Sequence, residues 1–216
     1  LHFLDTNSLW FPPVAAADAD GLLAIGGDLA PARLLMAYQS GIFPWFSEGG
    51  LPFWFAPDPR FVLFPEELKI SKSMQQILRR HTFQFSINKA FEAVIRHCAS
   101  VPRKEAGNET WITEDFIAAY TQLHRLGYAH SAEAWLDGTL VGGLYGVLLG
   151  RVFCGESMFA TVSNASKFAF ISLVERLRGQ GVQLIDCQVY TPHLESLGAK
   201  NISRIAYMDL LKKALG

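Results

Sequence analysis

The run from Leu140 to Phe159, LVGGLYGVLLGRVFCGESMF, constrains this chain more than any other stretch. Leu140 to Leu149 is apolar apart from its glycines and Tyr145, and Gly150-Arg151 is a turn candidate. Val152, Phe153 and Cys154 then begin a second apolar run, so one β-hairpin at the centre of a sheet is predicted. Gly142, Gly143 and Gly146 weaken a strand and usually mark a bulge or the close approach of another backbone or a ligand. Gly155, Glu156, Ser157 and Met158 follow. A carboxylate between apolar runs has to face solvent, a partner or a ligand. Sequence alone leaves two readings of Glu156 open, a solvated turn after an ordinary hairpin and a functional group.

With 216 residues, half of them hydrophobic, the chain is long enough for a large core in one or two domains. A net charge of -1 argues against a general nucleic-acid coat but permits a local basic patch. No run reaches the ~18 apolar residues of a membrane span. Leu1 to Phe11 is too short, and lacks the basic flank, to read as a signal peptide. Cys98, Cys154 and Cys187 sit far apart in apolar surroundings, which reads as buried free thiols in a reducing, cytoplasmic compartment. With six histidines and no ligand-like spacing among the cysteines, a structural zinc is not expected.

The first 60 residues read as a separate unit. Gly21 to Asp28 is an apolar run closed by glycines without the spacing of a nucleotide fingerprint. Pro31 opens a helix with Leu34, Leu35 and Tyr38 on one face, and Gly41 ends it. Prolines are too dense in Ile42 to Phe46 and in Pro52 to Arg60 for helix. Their aromatics are either a satellite core or a binding surface, and Trp45, before the Ser47 to Gly50 loop, is the ring expected to be partly exposed. Phe61 to Phe64 is a strand candidate. Ser71 caps a helix with Met74, Ile77 and Leu78 inward. That helix ends in Arg79-Arg80-His81, cations that complement its dipole and are equally able to bind phosphate. Phe83, Phe85 and Ile87 alternate as a strand, and Asn88 is a cap for the next helix. A charged loop, Val101 to Asn108, precedes Trp111, and Thr113 caps a helix ended by Gly127. Asp137-Gly138 is the strongest hairpin turn in the chain.

A helix from Ser163 or Asn164 to Gly179 precedes the strand Leu184 to Val189. Period-two alternation puts Asp186 and Gln188 on one strand face and Ile185, Cys187 and Val189 on the other. Two hydrogen-bonding side chains together on a covered sheet face call for a reason, because burying a bare carboxylate is costly. The remainder is a loop from His193 to Lys200, a strand around Ile202 and a short helix from about Tyr207 to Lys213. The pattern is α+β with a mixed sheet flanked by helices, not the regular alternation of a doubly wound fold.

The blocks Gly21 to Leu29, Gly41 to Phe46, Trp54 to Arg60, Thr110 to Thr113, Leu140 to Phe159, Asn164 to Lys167, Leu184 to Val189 and His193 with Ser196 to Ala199 resemble, in order and over nearly the whole chain, the leucyl/phenylalanyl-tRNA–protein transferases. That family moves leucine or phenylalanine from its tRNA to proteins with N-terminal arginine or lysine, marking them for degradation. The resemblance implies a small N-terminal domain over residues 1–58 and an N-acetyltransferase-like domain over 59–216, with no metal, no acyl-CoA and no other cofactor. It implies that Trp45 and Trp111 hold the terminal adenosine of the tRNA. By the same match Leu144, Phe153, Met158 and Ile185 line the amino-acid pocket, with Leu144 standing where relatives carry methionine. Glu156 matches a carboxylate beside the bound aminoacyl group, and Asp186 and Gln188 match the pair assigned to activating the incoming amine. Arg79 and Arg80 match a basic cluster for the acceptor stem.

The chemistry fits these residue types. An aminoacyl ester is already activated, so the transfer requires neither ATP nor metal. The acceptor α-amine, with a reference pKa near ~8, has to be neutral and close to the ester carbonyl. A neutral amide is a poor base, so Asp186 and Gln188 are expected to position the amine and stabilise its developing charge rather than take its proton. Backbone N–H groups near Gly155 are the oxyanion candidates. Two other classes compete: a non-catalytic binding module for aminoacyl-tRNA or N-terminal peptides, and a small-molecule N-acyltransferase. The latter should carry a glycine-rich pyrophosphate segment, which Val162 to Lys167 does not offer.

Overall fold

A computed structural model describes residues 1–48, 50–101 and 110–216. The charged loop after Val101 and the Gly49 position fall outside the described residues.

Two sheets organise the chain. The smaller has the order β1-β2-β4-β3, from β1 (His2–Leu4), β2 (Leu22–Gly26), β3 (Phe43–Glu48) and β4 (Leu51–Phe55). The proline-rich aromatic segments, too dense in proline for helix, thus supply two of these strands, β3 and β4. Pro44 stands on the edge strand β3, where a missing N–H can face away from the ladder. Helix α1 (Pro31–Gln39) begins at its proline and packs Leu34, Ala37 and Tyr38 inward.

Seven strands form the larger sheet: β5 (Arg60–Leu63), β6 (Gln84–Ile87), β7 (Ala129–Leu136), β8 (Thr139–Leu149), β9 (Val152–Ala160), β10 (Leu184–Gln188) and β11 (Lys200–Ile202). Their order is β11-β5-β10-β9-β8-β7-β6. The β8-β9 hairpin lies in the interior of the sheet, as its apolar runs predict. Within this sheet, among the described residues, only β9 and β10 pair in parallel; every other neighbouring pair is antiparallel. One face is covered by α3 (Phe91–Ser100) and α4 (Glu114–Arg125), where Val94, Phe116 and Tyr120 join a core that reaches Trp54 of the small sheet. The other is covered by α5 (Ala165–Gly179) and by α2 (Lys72–Arg79), with Phe168 and Ile171 packed among Ala132, Leu144 and Ile185. A side chain at Gly142 would stand 2.6 Å from Cβ of Ala165, so this glycine admits the start of α5 to the sheet.

Three local expectations change. Asn88 does not cap α3. It takes a left-handed backbone, φ 58°, and its Oδ1 accepts from the Ser131 backbone N–H at 3.0 Å, while Ala90 holds the cap position. The segment read as a loop from His193 to Lys200 opens within α6 (Pro192–Ser196), capped by Thr191, before α7 (Arg204–Leu215) closes the chain. Strand β9 also runs on through Glu156 to Ala160, so Glu156 sits in a strand and not in a solvated turn.

Candidate active site

Strands β9 and β10 run side by side for three rungs, the last of which pairs Asp186 with Cys154. Both then bulge. Tyr145 and Gly146, adjacent on β8, pair with Ser157 and Gly155, which leaves Glu156 as the extra residue of β9. Val62 and Phe61, adjacent on β5, pair with Asp186 and Gln188, which leaves Cys187 as the extra residue of β10. A bulge bends its strand and re-aims side chains. The two parallel strands open beyond their last rung, and a cavity of about 390 Å³ occupies the opening. Gly155 leaves room there, since a Cβ on it would meet nothing closer than the Asp186 carbonyl oxygen at 3.7 Å.

Most of the residues singled out from sequence meet at this cavity. Gly155, Glu156 and Met158 from β9, Leu144 from β8 and Ile185 and Gln188 from β10 line it. Trp45 comes from the edge strand of the small sheet and Trp111 from just before α4. Trp45 is half-buried, as expected, and packs edge-on against Phe55 at 5.5 Å. Trp111 is 8% exposed and packs edge-on against Phe116 at 5.5 Å, so it is also a core residue.

Phe153 and Asp186 are not on the wall. The Phe153 ring fills the space that a side chain at Gly146 would need, behind the pocket. Asp186 points to the opposite side of β10. Its Oδ1 accepts from Arg60 Nε at 2.8 Å and its Oδ2 from Arg60 Nη2 at 2.6 Å. Tyr207 OH donates to Oδ2 at 2.8 Å, and the Gln188 backbone N–H donates to Oδ1 at 3.0 Å. Of the pair expected to share one strand face, Gln188 reaches the cavity and Asp186 does not. The bulge, with Gln188 in a left-handed backbone at φ 66°, puts the Gln188 side chain on the cavity beside Ile185 and Cys187, and Asp186 beneath it.

Arg60 is one residue that the sequence did not mark as part of the site. It is 1% exposed and its guanidinium carbon lies 4.6 Å from the Phe43 ring centre and 4.5 Å from that of Tyr207. Burial works against its charge, but Asp186 and Tyr207 beside it hold its pKa above the ordinary value. The only sequence hint is a charged residue opening an apolar strand right after Pro59; its partner is 126 residues away.

Glu156 anchors a second network. Gln188 Nε2 donates to Glu156 Oε1 at 2.8 Å, Tyr120 OH donates to Oε2 at 3.1 Å, and Tyr38 OH bonds Tyr120 OH behind it. Burial pushes the Glu156 carboxyl up to about 7, against the lowering effect of hydrogen bonds from Tyr38, Tyr120 and Gln188. Burial likewise raises the Tyr38 and Tyr120 phenols well above their ordinary range, so both remain neutral donors. Because Gln188 spends its amide N–H₂ on Glu156, its side-chain carbonyl is the end left to accept from a ligand. Cys187 also lines the cavity, but burial and the nearby Asp186 charge raise its thiol far above neutrality, which suits a wall and not a nucleophile. Ser157, Ser166, Phe170, Val189, Thr191, His193 and Leu194, none of them assigned from sequence, complete the lining.

Arg79 and Arg80 lie outside the cavity. Both are exposed at the C-terminal end of α2 and, among the described residues, neither makes an ion pair. The described residues contain no cluster of three His, Cys, Asp or Glu side chains arranged to hold a metal, and no helix long and apolar enough to cross a membrane.

Residues 62–212 match the family model described as leucyl/phenylalanyl-tRNA protein transferase, and residues 27–58 match that of its N-terminal domain. A leucyl/phenylalanyl-tRNA–protein transferase of Flavobacterium johnsoniae is 57% identical over 95% of this chain and 97% of its own length. Proteins of the same name from Nitrosospira multiformis and Pseudomonas fluorescens are 53% and 52% identical, over 99% and 100% of this chain and 91% and 95% of theirs. Among solved structures, the GCN5-related glucosamine N-acetyltransferase region of a fungal multi-domain β-N-acetylglucosaminidase aligns at 13% identity with a TM-score of 0.46, over 92% of this chain and 24% of that one. At that score the likeness carries no weight, and the fold rests on the topology above.

Proposed function

This chain belongs to the leucyl/phenylalanyl-tRNA–protein transferase family, an aminoacyltransferase family, and we propose that the cavity between β9 and β10 is where leucine or phenylalanine passes from its tRNA to the α-amine of a protein beginning with arginine or lysine. The observation that carries this reading is the opening of two parallel strands, both bulged, at the residues whose types the transfer requires.

In this reading Trp45 and Trp111 hold the terminal adenosine, because base–aromatic stacking contributes about 1–3 kcal/mol per base without needing a particular sequence. The apolar wall of Leu144, Met158, Phe170 and Ile185 takes the leucine or phenylalanine side chain. Phe153 supports that wall from behind. Backbone N–H groups at the Gly155 bulge are aimed at the ester oxygen as charge develops on it. The Gln188 carbonyl accepts a hydrogen bond from the attacking amine, which holds it at the ester and stabilises its growing positive charge. Glu156 fixes that amide's orientation from one side. Asp186, neutralised by Arg60, fixes its backbone from the other. Asp186 is thus a positioning group. Arg79 and Arg80 take acceptor-stem phosphates. Residues 1–58 act as a unit that supplies one wall through Trp45, and residues 59–216 supply the chemistry.

Labelled phenylalanyl-tRNA mixed with an arginine-leading peptide tests the reading directly. Label transferred to the peptide α-amine is expected. Binding of both partners without transfer would identify a recognition module, and transfer from phenylalanyl-CoA alone would identify a small-molecule acyltransferase.

A further inference from the structure

The transfer moves one proton. A neutral amine and an ester give an amide and an alcohol, so the nitrogen loses a proton and the departing ribose oxygen gains one. The groups already placed in the cavity are ill suited to carry it. The Gln188 amide is a poor base. Both Glu156 oxygens are engaged, by Gln188 at 2.8 Å and by Tyr120 at 3.1 Å. The Cys187 thiol is held protonated by burial, and Asp186 is not on the wall.

His193 is on the wall. The left-handed turn at Gln188 carries the chain out of β10 into α6, and this connection puts Gln188, Thr191, His193 and Leu194 on one side of the cavity. Helix α6 is fixed at its start, where Thr191 Oγ1 accepts from the Leu194 backbone N–H at 3.2 Å, and Ser196 Oγ donates to the His193 carbonyl at 2.6 Å. These bonds hold the His193 backbone, and the imidazole Nε2 is buried and has no hydrogen-bond partner among the described residues. A buried polar atom without a partner calls for an explanation, and a reacting ligand is one.

Building on the donor and acceptor assigned above, we propose that His193 Nε2 carries the proton of the transfer, taking it from the attacking amine and delivering it to the ribose oxygen that leaves. In the addition step the amine lone pair forms the C–N bond and the carbonyl π pair moves to oxygen. The nitrogen then gives one proton to Nε2. Collapse re-forms the carbonyl and breaks the C–O bond to the ribose. The electron pair leaves on the ribose oxygen, which takes the proton from the imidazolium, and His193 returns to its neutral form. Burial, with Lys167 of α5 adding its charge, lowers the His193 pKa, so the ring enters the cycle neutral at pH 7.

The test is single-turnover transfer from prebound phenylalanyl-tRNA to a saturating arginine-leading peptide, with donor affinity and thermal melting measured alongside. His193→Ala is expected to slow the chemical step by about 100-fold, the lower end of what general acid–base catalysis supplies, with donor affinity near wild type. Added imidazole is expected to restore part of the lost rate in a saturable way. His193→Gln, which keeps bulk and hydrogen-bonding reach, is expected to be as slow, and it carries the test should the alanine variant melt early. A glutamine variant near the wild-type rate would overturn the proposal, as would a loss confined to donor affinity, which would make His193 a ribose contact. No transfer by the wild-type protein would overturn the donor–acceptor reading itself and this proposal with it.

Discussion

At the residue scale, the Arg60–Asp186 pair decides what a substitution at Asp186 means. The two side chains are 2% and 0% exposed, so removing one charge leaves the other buried and uncompensated, which typically costs about 3–5 kcal/mol. Asp186→Asn is thus expected to lower the unfolding free energy by about 3 kcal/mol or more, and to slow transfer by loosening the Gln188 backbone. Arg60→Met combined with Asp186→Asn should cost less stability than Asp186→Asn alone, since no orphan charge remains. Denaturant unfolding of Asp186→Asn, Arg60→Met and the double variant checks this; a double variant as unstable as the sum of the singles would show that the pair is not the source. Glu156 gives a pH signature. Its folded pKa, about 7, lies above the ordinary 4.5, so between those values the folded state holds a proton that the unfolded chain has lost. Its contribution to stability is therefore present below about pH 4.5 and lost as pH rises through 7. Transfer should move oppositely, because the Gln188 and Tyr120 donors match the ionised carboxylate. Glu156→Gln should flatten the stability change over pH 4.5–7 and remove the rise in single-turnover rate near 7, leaving the acceptor amine's own titration near ~8. A wild-type rate profile with no inflection near 7 would put Glu156 outside the chemistry.

At the scale of elements, regular periodicity was legible and its interruptions were not. The β8–β9 hairpin followed from its glycines and apolar runs, and α2, capped by Ser71 Oγ accepting from Met74 N–H at 3.3 Å, followed from its cap and its inward face. The bulge at Cys187 left no comparable mark. One extra residue changes no composition, and alternation read straight through Asp186 and Gln188 did not show that only Gln188 reaches the cavity. Partners far along the chain were equally hidden: nothing in Pro57 to Arg60 points to Asp186, and nothing in α1 points from Tyr38 to Tyr120, 82 residues on. Helix α2 supports a prediction of its own. Its exposed C-terminal arginines fit a phosphate track as well as a helix cap. Arg79→Ala with Arg80→Ala should weaken binding of full-length phenylalanyl-tRNA and lower the log–log salt slope by roughly 1 for each phosphate no longer neutralised. A short aminoacyl-nucleotide donor should bind as before. Equal weakening of both donors would return the arginines to a capping role.

At the scale of the whole molecule, the cavity draws its walls from both sheets. Trp45 comes from the edge of the small sheet, Trp111 from the approach to α4, and the remainder from the large sheet and the helices behind it. One buried core also runs from Leu23 and Trp54 of the small sheet to Tyr145 and Tyr207. The two sheets are therefore expected to unfold together, and a ligand seated between the tryptophans should stabilise both. A hydrolysis-resistant phenylalanyl-amide of adenosine at about 100 times its Kd should contribute about 2.7 kcal/mol. For a chain of this size that is a Tm rise of roughly 5–10 °C. Near-ultraviolet circular dichroism, to which the small sheet contributes Trp45 and Trp54, and far-ultraviolet signal from the helices should report one coincident transition, shifted equally by the ligand. Trp45→Ala should reduce the shift with little change in the unliganded melt, because that ring is half-buried. Trp111→Ala should reduce the shift and also lower the unliganded Tm, because Trp111 packs against Phe116 as core. Two transitions, only one of them moved by the ligand, would mean that the small sheet is a separate unit and that the adenosine seat belongs to the large sheet alone.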